Sequence, residues 1–98
     1  MIVMDRPRRL DDGRLTAHML SDLDGDDGYR ELLAVGVSIG CLPVFLQYRG
    51  TYKEHFDLMG PRRVAAAAAH PLIREVTRRE VALILQRKKA AVPIRAGS

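Results

Sequence analysis

The stretch Gly60–Ile84, GPRRVAAAAAHPLIREVTRREVALI, decides the fold. Gly60-Pro61 opens a helix, because proline lacks only an N–H that the first helical position leaves unpaired anyway. Ala65–Ala69 continue it with high helix propensity and thin side chains that let it lie close on a sheet. His70-Pro71 ends it. Leu72–Val76 then reads as a short strand. Thr77-Arg78-Arg79-Glu80 has the spacing of a capping box, in which the threonine oxygen meets the third amide and the glutamate reaches back. Val81, Ile84 and Leu85 form the apolar stripe of the helix that follows. Helix, strand and helix in one stretch argue for an α/β domain.

Working outward, residues 1–5 are apolar and β-branched enough for a buried strand, and Arg6-Pro7 stops it. Asp11-Asp12-Gly13 is turn chemistry, and Leu15–Leu20 is a second strand able to pair with the first. Asp22–Gly28 is a polar loop whose acids favour the positive end of the next helix. That helix spans Tyr29–Ile39, with Gly40 as its stop. Leu42–Tyr48 is the clearest strand candidate, for its apolar centre Val44-Phe45-Leu46. Arg49–Met59 reads as a loop. The expectation is an α/β fold with a small sheet of three to four strands and about three helices. It forms a single domain over residues 1–90, with a flexible tail over 91–98.

With 98 residues and 47% hydrophobic side chains, the chain suits one modest core and not a disordered polymer. No apolar run approaches the ~18 residues of a membrane span, and residues 1–9 lack the apolar region of a secretory signal. A cytoplasmic location without membrane contact is therefore expected. The lone Cys41 excludes an intrachain disulfide and a Cys-rich zinc site. It reads as a small buried packer.

The net charge of +4 hides an asymmetry: residues 1–49 sum to −2 and residues 50–98 to +6. The excess lies in Arg62-Arg63, Arg78-Arg79 and Arg87-Lys88-Lys89. These are either solvated helix ends or contacts to an anionic partner such as nucleic acid. Tyr48, Tyr52 and Phe56, amid Arg49 and Lys53, mix stacking faces with cations, as single-stranded nucleic-acid platforms do; the alternative is packing over the sheet edge.

Asp22–Gly28 tempts a calcium reading, but Asp27 and Leu33 stand where an EF-hand loop needs glycine and glutamate. Phosphate-loop, dinucleotide, HExxH and GxSxG motifs are absent from the sequence. Asp5, His18, His55 and Asp57 remain, beside the apolar strands. Ligands of α/β sheets gather where strands end, and imidazole with carboxylate either performs acid–base work or binds a metal. The competing readings are a structural histidine at 18 and an Asp57 that caps the turn before Pro61. Spacing alone assigns no metal ligands and no cofactor.

Several fragments taken in order resemble a small bacterial and bacteriophage family known only as a domain of unknown function. They are Val3-Met4-Asp5-Arg6, a His-Leu-x-x-Asp-like element at His18–Asp22, and Glu31-Leu32-Leu33. A His-Tyr-Asp-Leu-like element at His55–Leu58 follows, then the helix from Arg62 to Ala69 and Thr77-Arg78-Arg79-Glu80. The resemblance spans residues 1–86. Phe56 replaces the usual tyrosine and so removes a hydroxyl, and His70-Pro71 replaces Gly-Ala. The resemblance implies a residue list and no reaction, and that list contains Asp5, His18, His55 and Asp57.

Three functions compete. The first is a domain that binds or hydrolyses a phosphate-containing anion, with Asp5, His18, His55 and Asp57 as catalytic candidates and Arg6, Arg62 and Arg78 holding the anion. Whether it is an enzyme stays open at this point. The second is a non-catalytic, basic nucleic-acid-binding module. The third is a phage-type interaction protein that oligomerises through the Ala-rich or C-terminal helix; a homodimer is the simplest form.

Overall fold

Residues 1–21 fold back on themselves to build the centre of the sheet. A computed structural model describes residues 1–91; of the expected tail, only Ala91 falls within them. Strand β1 (Ile2–Asp5) runs antiparallel to β3 (Leu15–Ser21), with Ile2 opposite Ser21 and Met4 opposite Met19. The short strand β2 (Arg8–Arg9) continues the pairing along the same edge of β3, with Arg8 opposite Thr16. Between these ladders, Asp5, Arg6 and Pro7 lie against only Ala17 and His18, so the first strand carries one extra residue. That is a β-bulge at the proline the sequence marks as a stop. The hairpin closes at Gly13, whose φ of 86° suits glycine, and the Asp12 carboxylate accepts the Arg14 N–H at 3.0 Å.

Helix α1 spans Gly25–Ser38, one turn longer at its start than the apolar spacing suggests. Asp26 and Asp27 in its first turn favour the positive end of the dipole. At its end the Gly40 N–H donates to the Val37 carbonyl and the Cys41 N–H to that of Gly36, the Schellman arrangement, with Gly40 at φ 89°. Cys41 is buried, as expected.

Leu42–Tyr48 is not a strand. Pro43–Phe45 form a single 3-10 turn, and Val44 and Phe45 are 80% and 67% exposed. Gln47 makes one isolated bridge, to His55. The strand of this region is instead β4 (Phe56–Met59), which lies within the expected loop and pairs antiparallel with β3. Phe56 and Leu58 are buried and Asp57 and Met59 are not, the alternation a strand with one packed face requires. The Val44-Phe45-Leu46 run has no such alternation and begins at a proline.

Helix α2 (Pro61–Ala69) leads to β5 (Ile73–Val76), parallel to β1, and then to α3 (Arg78–Ala91). The Glu80 N–H donates to the Thr77 hydroxyl at 3.1 Å, the first half of the expected capping box. The Glu80 carboxylate meets that hydroxyl at 3.4 Å.

The fold is α/β: among the described residues, a mixed sheet of five strands, two of them successive pieces along one edge of β3, with three helices. The main core joins Ile2, Met4, Ala17, Met19, Phe56 and Leu58 of the sheet to Leu32 and Val35 of α1 and Val64 and Ala67 of α2. The opposite face carries a smaller cluster, Val3, Leu20 and Val76 under Val81, Ile84 and Leu85 of α3. No helix among the described residues is long and apolar enough to cross a membrane.

Candidate functional site

Alternation along the strands sorts the polar candidates onto one face. Ala17 and Met19 of β3 point into the main core, so His18 points to the other side, with Leu20. His18 is the direct cross-strand partner of Asp57. His55 lies two residues before Asp57 and shares its side of the strand. Asp5 ends β1 at the bulge, one step past the Met4–Met19 pair. Asp5, His18 and Asp57 therefore form a row across three adjacent strands, with His55 beside it. The four residues singled out from the sequence come together on the face that α3 covers only in part.

Each side chain is held from behind. The bulge frees the His18 main-chain N–H, which donates to Asp5 Oδ1 at 2.7 Å, while His18 Nδ1 meets Asp5 Oδ2 at 2.8 Å. Burial pushes the Asp5 carboxyl up, but the side-chain and main-chain hydrogen bonds from His18 outweigh it and hold it below its ordinary value. Asp5 is thus a carboxylate that only accepts, so the proton sits on His18 Nδ1. The hydrogen bond to Asp5 raises the His18 pKa, against an opposing effect of burial. His55 Nδ1 donates to the Lys53 carbonyl at 2.7 Å, since a carbonyl oxygen only accepts. Asp57 Oδ2 accepts the Gln47 side-chain amide at 2.6 Å.

These anchors leave three atoms facing one another. Asp57 Oδ1 lies 3.4 Å from His18 Nε2 and 3.3 Å from His55 Nε2. Both separations exceed the ~2.9 Å typical of an N–H···O hydrogen bond. The imidazole rings meet edge to face, with centroids 5.4 Å apart. Tyr48 stacks on His55 at 5.9 Å and 28°. Its backbone has φ 54°, a left-handed conformation uncommon for a residue with a side chain.

An apolar cleft of about 350 Å³ adjoins this cluster, lined by His18, His55, Tyr48 and Lys53 on one side and by Arg78, Val81 and Leu85 of α3 on the other. Of the arginines named from the sequence, Arg78 borders the cleft. Arg62 borders a separate groove with Met59 and Gly60, and Arg6 is exposed just after β1.

Phe56 belongs to neither an aromatic platform nor the site. It is 1% exposed in the main core, on the opposite face of the sheet from this cluster. Asp57 is a strand residue facing His18 and not a cap for the turn before Pro61. Gln47 and the Lys53 carbonyl escaped the sequence reading. The signal for Gln47 is its bridge to His55, which appears only once β4 is placed. No family model, curated protein or solved structure matches the chain.

Proposed function

We propose that the protein binds and hydrolyses a phosphate ester at the His18–His55–Asp57 cluster. The observation that carries this reading is the convergence of two imidazole Nε2 atoms and one carboxylate oxygen beside a cleft bordered by two cations, Lys53 and Arg78. A water molecule at the convergence is activated as a nucleophile. Its oxygen bonds to phosphorus, the bond from phosphorus to the ester oxygen breaks, and the proton released from water ends on the departing alcohol. Lys53 and Arg78 offset the negative charge on the phosphoryl oxygens. The apolar wall of α3 accommodates the alcohol portion. The resemblance to the bacterial and bacteriophage family belongs to the same proposal, because its elements carry Asp5, His18, His55 and Asp57.

Nucleic acid enters this reading as one source of the phosphate. A separate basic stripe at the end of α3 has less support. Arg87 donates to the Asp22 carbonyl at 2.7 Å, and the buried Lys88 donates to that of Ser21 at 2.9 Å.

The test is release of p-nitrophenol from p-nitrophenyl phosphate and its bis ester, with and without added divalent metal. Asp57→Asn is expected to lower kcat about a hundredfold or more. The double change Lys53→Ala and Arg78→Ala is expected to raise KM. Failure of the unaltered protein to turn over either ester, together with failure to bind inorganic phosphate, removes the proposal.

A further inference from the structure

We infer that His18 Nε2, His55 Nε2 and Asp57 Oδ1 are the ligands of a divalent transition-metal ion of the zinc class. One potential ligand atom from each residue lies within 4.8 Å of those from the other two. Proximity alone is common among polar side chains, and three further observations distinguish this cluster.

First, the tautomers are set for it. Nδ1 of each imidazole donates its proton backwards, to Asp5 from His18 and to the Lys53 carbonyl from His55. In the neutral rings this leaves an unshared pair on each Nε2. A metal-bound histidine usually donates its other N–H to a carboxylate or backbone carbonyl, and these two rings use one of each.

Second, the carboxylate is oriented in the same manner. Gln47 occupies Asp57 Oδ2, and Oδ1 is the oxygen turned towards the imidazoles. All three ligands thus have an outer partner on the side away from the common point.

Third, the spacings from the carboxylate fit. Metal–ligand bonds of about 2.0–2.2 Å in a tetrahedron place neighbouring ligand atoms about 3.3–3.6 Å apart. The two separations from Asp57 Oδ1 are 3.4 and 3.3 Å, and the two imidazole ligand atoms lie within 4.8 Å of each other. An octahedral magnesium ion with bonds of about 2.0–2.1 Å needs neighbours about 2.9 Å apart, and it prefers oxygen ligands. Two imidazoles with one carboxylate suit zinc and its neighbours in the transition series.

Three protein ligands leave a fourth position open, the pattern of catalytic and not structural zinc sites. This inference shares its site with the hydrolytic reading: the ion becomes the agent that makes the bound water acidic. Occupancy by the metal can nevertheless be measured without any reaction.

The experiment titrates the chelator-treated full chain with Zn²⁺ by calorimetry and with Co²⁺ by visible absorption. One ion per chain and the intense bands of tetrahedral cobalt are expected. His55→Gln and Asp57→Asn should each abolish the cobalt bands, whereas His70→Gln, which alters the one histidine outside the cluster, should leave them. Asp5→Asn should retain the stoichiometry and weaken Zn²⁺ about 10–100-fold. Absence of Zn²⁺ binding by the unaltered chain, weak octahedral-type cobalt bands, or equal loss in His70→Gln overturns the assignment. The cobalt spectrum of the unaltered chain is decisive even where a variant does not fold. Metal binding without ester turnover defeats the hydrolytic reading alone, and ester turnover in excess chelator without zinc binding defeats the metal assignment alone.

Discussion

The two faces of the sheet are built from the same strands and are used differently. On one, α1 and α2 close over Ile2, Met4, Met19, Phe56 and Leu58, and the contact is mostly apolar, with the buried Ser21 hydroxyl donating to the Glu31 carboxylate of α1. On the other, α3 covers Val3, Leu20 and Val76 and leaves Asp5, His18 and Asp57 beside its edge. In β3, Met19 and His18 are adjacent residues committed to opposite tasks. The closed face supplies stability, and this frees the half-covered face to hold polar groups that would cost free energy in a sealed core. The bulge at Asp5-Arg6-Pro7 belongs to the second face. It interrupts the ladder, and the Asp5 carboxylate takes over the His18 N–H.

The largest expected effect breaks the closed face. Phe56→Ala removes a ring that is 1% exposed and should lower stability by about 3–5 kcal/mol in urea unfolding. Leu85→Ala, on the half-covered face, should cost about 1 kcal/mol, because its side chain is only partly buried. Equal losses would mean that the two faces contribute alike. Gly36 supports the same comparison from the helix side. A Cβ there would lie 2.5 Å from Phe56 Cε2, so the ring packs where α1 has no side chain.

Much of this division was legible in the sequence, and the strands β2 and β4 were not. Ile2–Asp5, the turn at Gly13, α2, β5 and the start of α3 were all readable, because local signals and the final packing agree there. The four site residues were also readable, as polar side chains within or beside apolar segments. The failure lay in choosing between Leu42–Tyr48 and Phe56–Met59. Val44 and Phe45 are apolar yet exposed, and hydrophobicity alone cannot distinguish a core residue from one left outside. The four-residue alternation of Phe56–Met59 is too short to stand out, and its selection depends on pairing with β3 across a long sequence separation. The row formed by Asp5, His18 and Asp57 follows from that register and was invisible without it.

The next effect sharpens the half-covered face and depends on pH. In the metal-free protein, His18 has a folded pKa above its ordinary 6.5, so its contribution is complete below 6.5 and disappears as pH rises through the folded value. Asp5 has a folded pKa below its ordinary 3.8, so its contribution is complete above 3.8 and disappears as pH falls through the folded value. The pair therefore stabilises most between about pH 3.8 and 6.5. Asp5→Asn should cost about 2 kcal/mol inside that window, as the charged acceptor is lost, and less on the alkaline side. A loss independent of pH from 4 to 9, in thermal unfolding with chelator present, would show that the ion pair adds nothing beyond shape.

The smallest effect concerns the edge of the cleft. Thr77 caps α3 through the bond from the Glu80 N–H, and the first turn of that helix contributes Arg78 and Val81 to the cleft wall. Thr77→Ala removes the cap and should cost about 1 kcal/mol. The location of the loss matters more than its size. α3 is tied to the sheet by a small apolar cluster and by the Lys88 and Arg87 bonds to the Ser21 and Asp22 carbonyls near its other end. Loosening the capped end should therefore speed amide exchange in the first turns of α3 and leave its last turn and α1 unchanged. If the whole helix exchanges faster together, α3 opens as one unit and the cleft wall is not a separable part of the face. If α1 also accelerates, the two faces are a single cooperative structure, and their unequal coverage does not give them unequal stability.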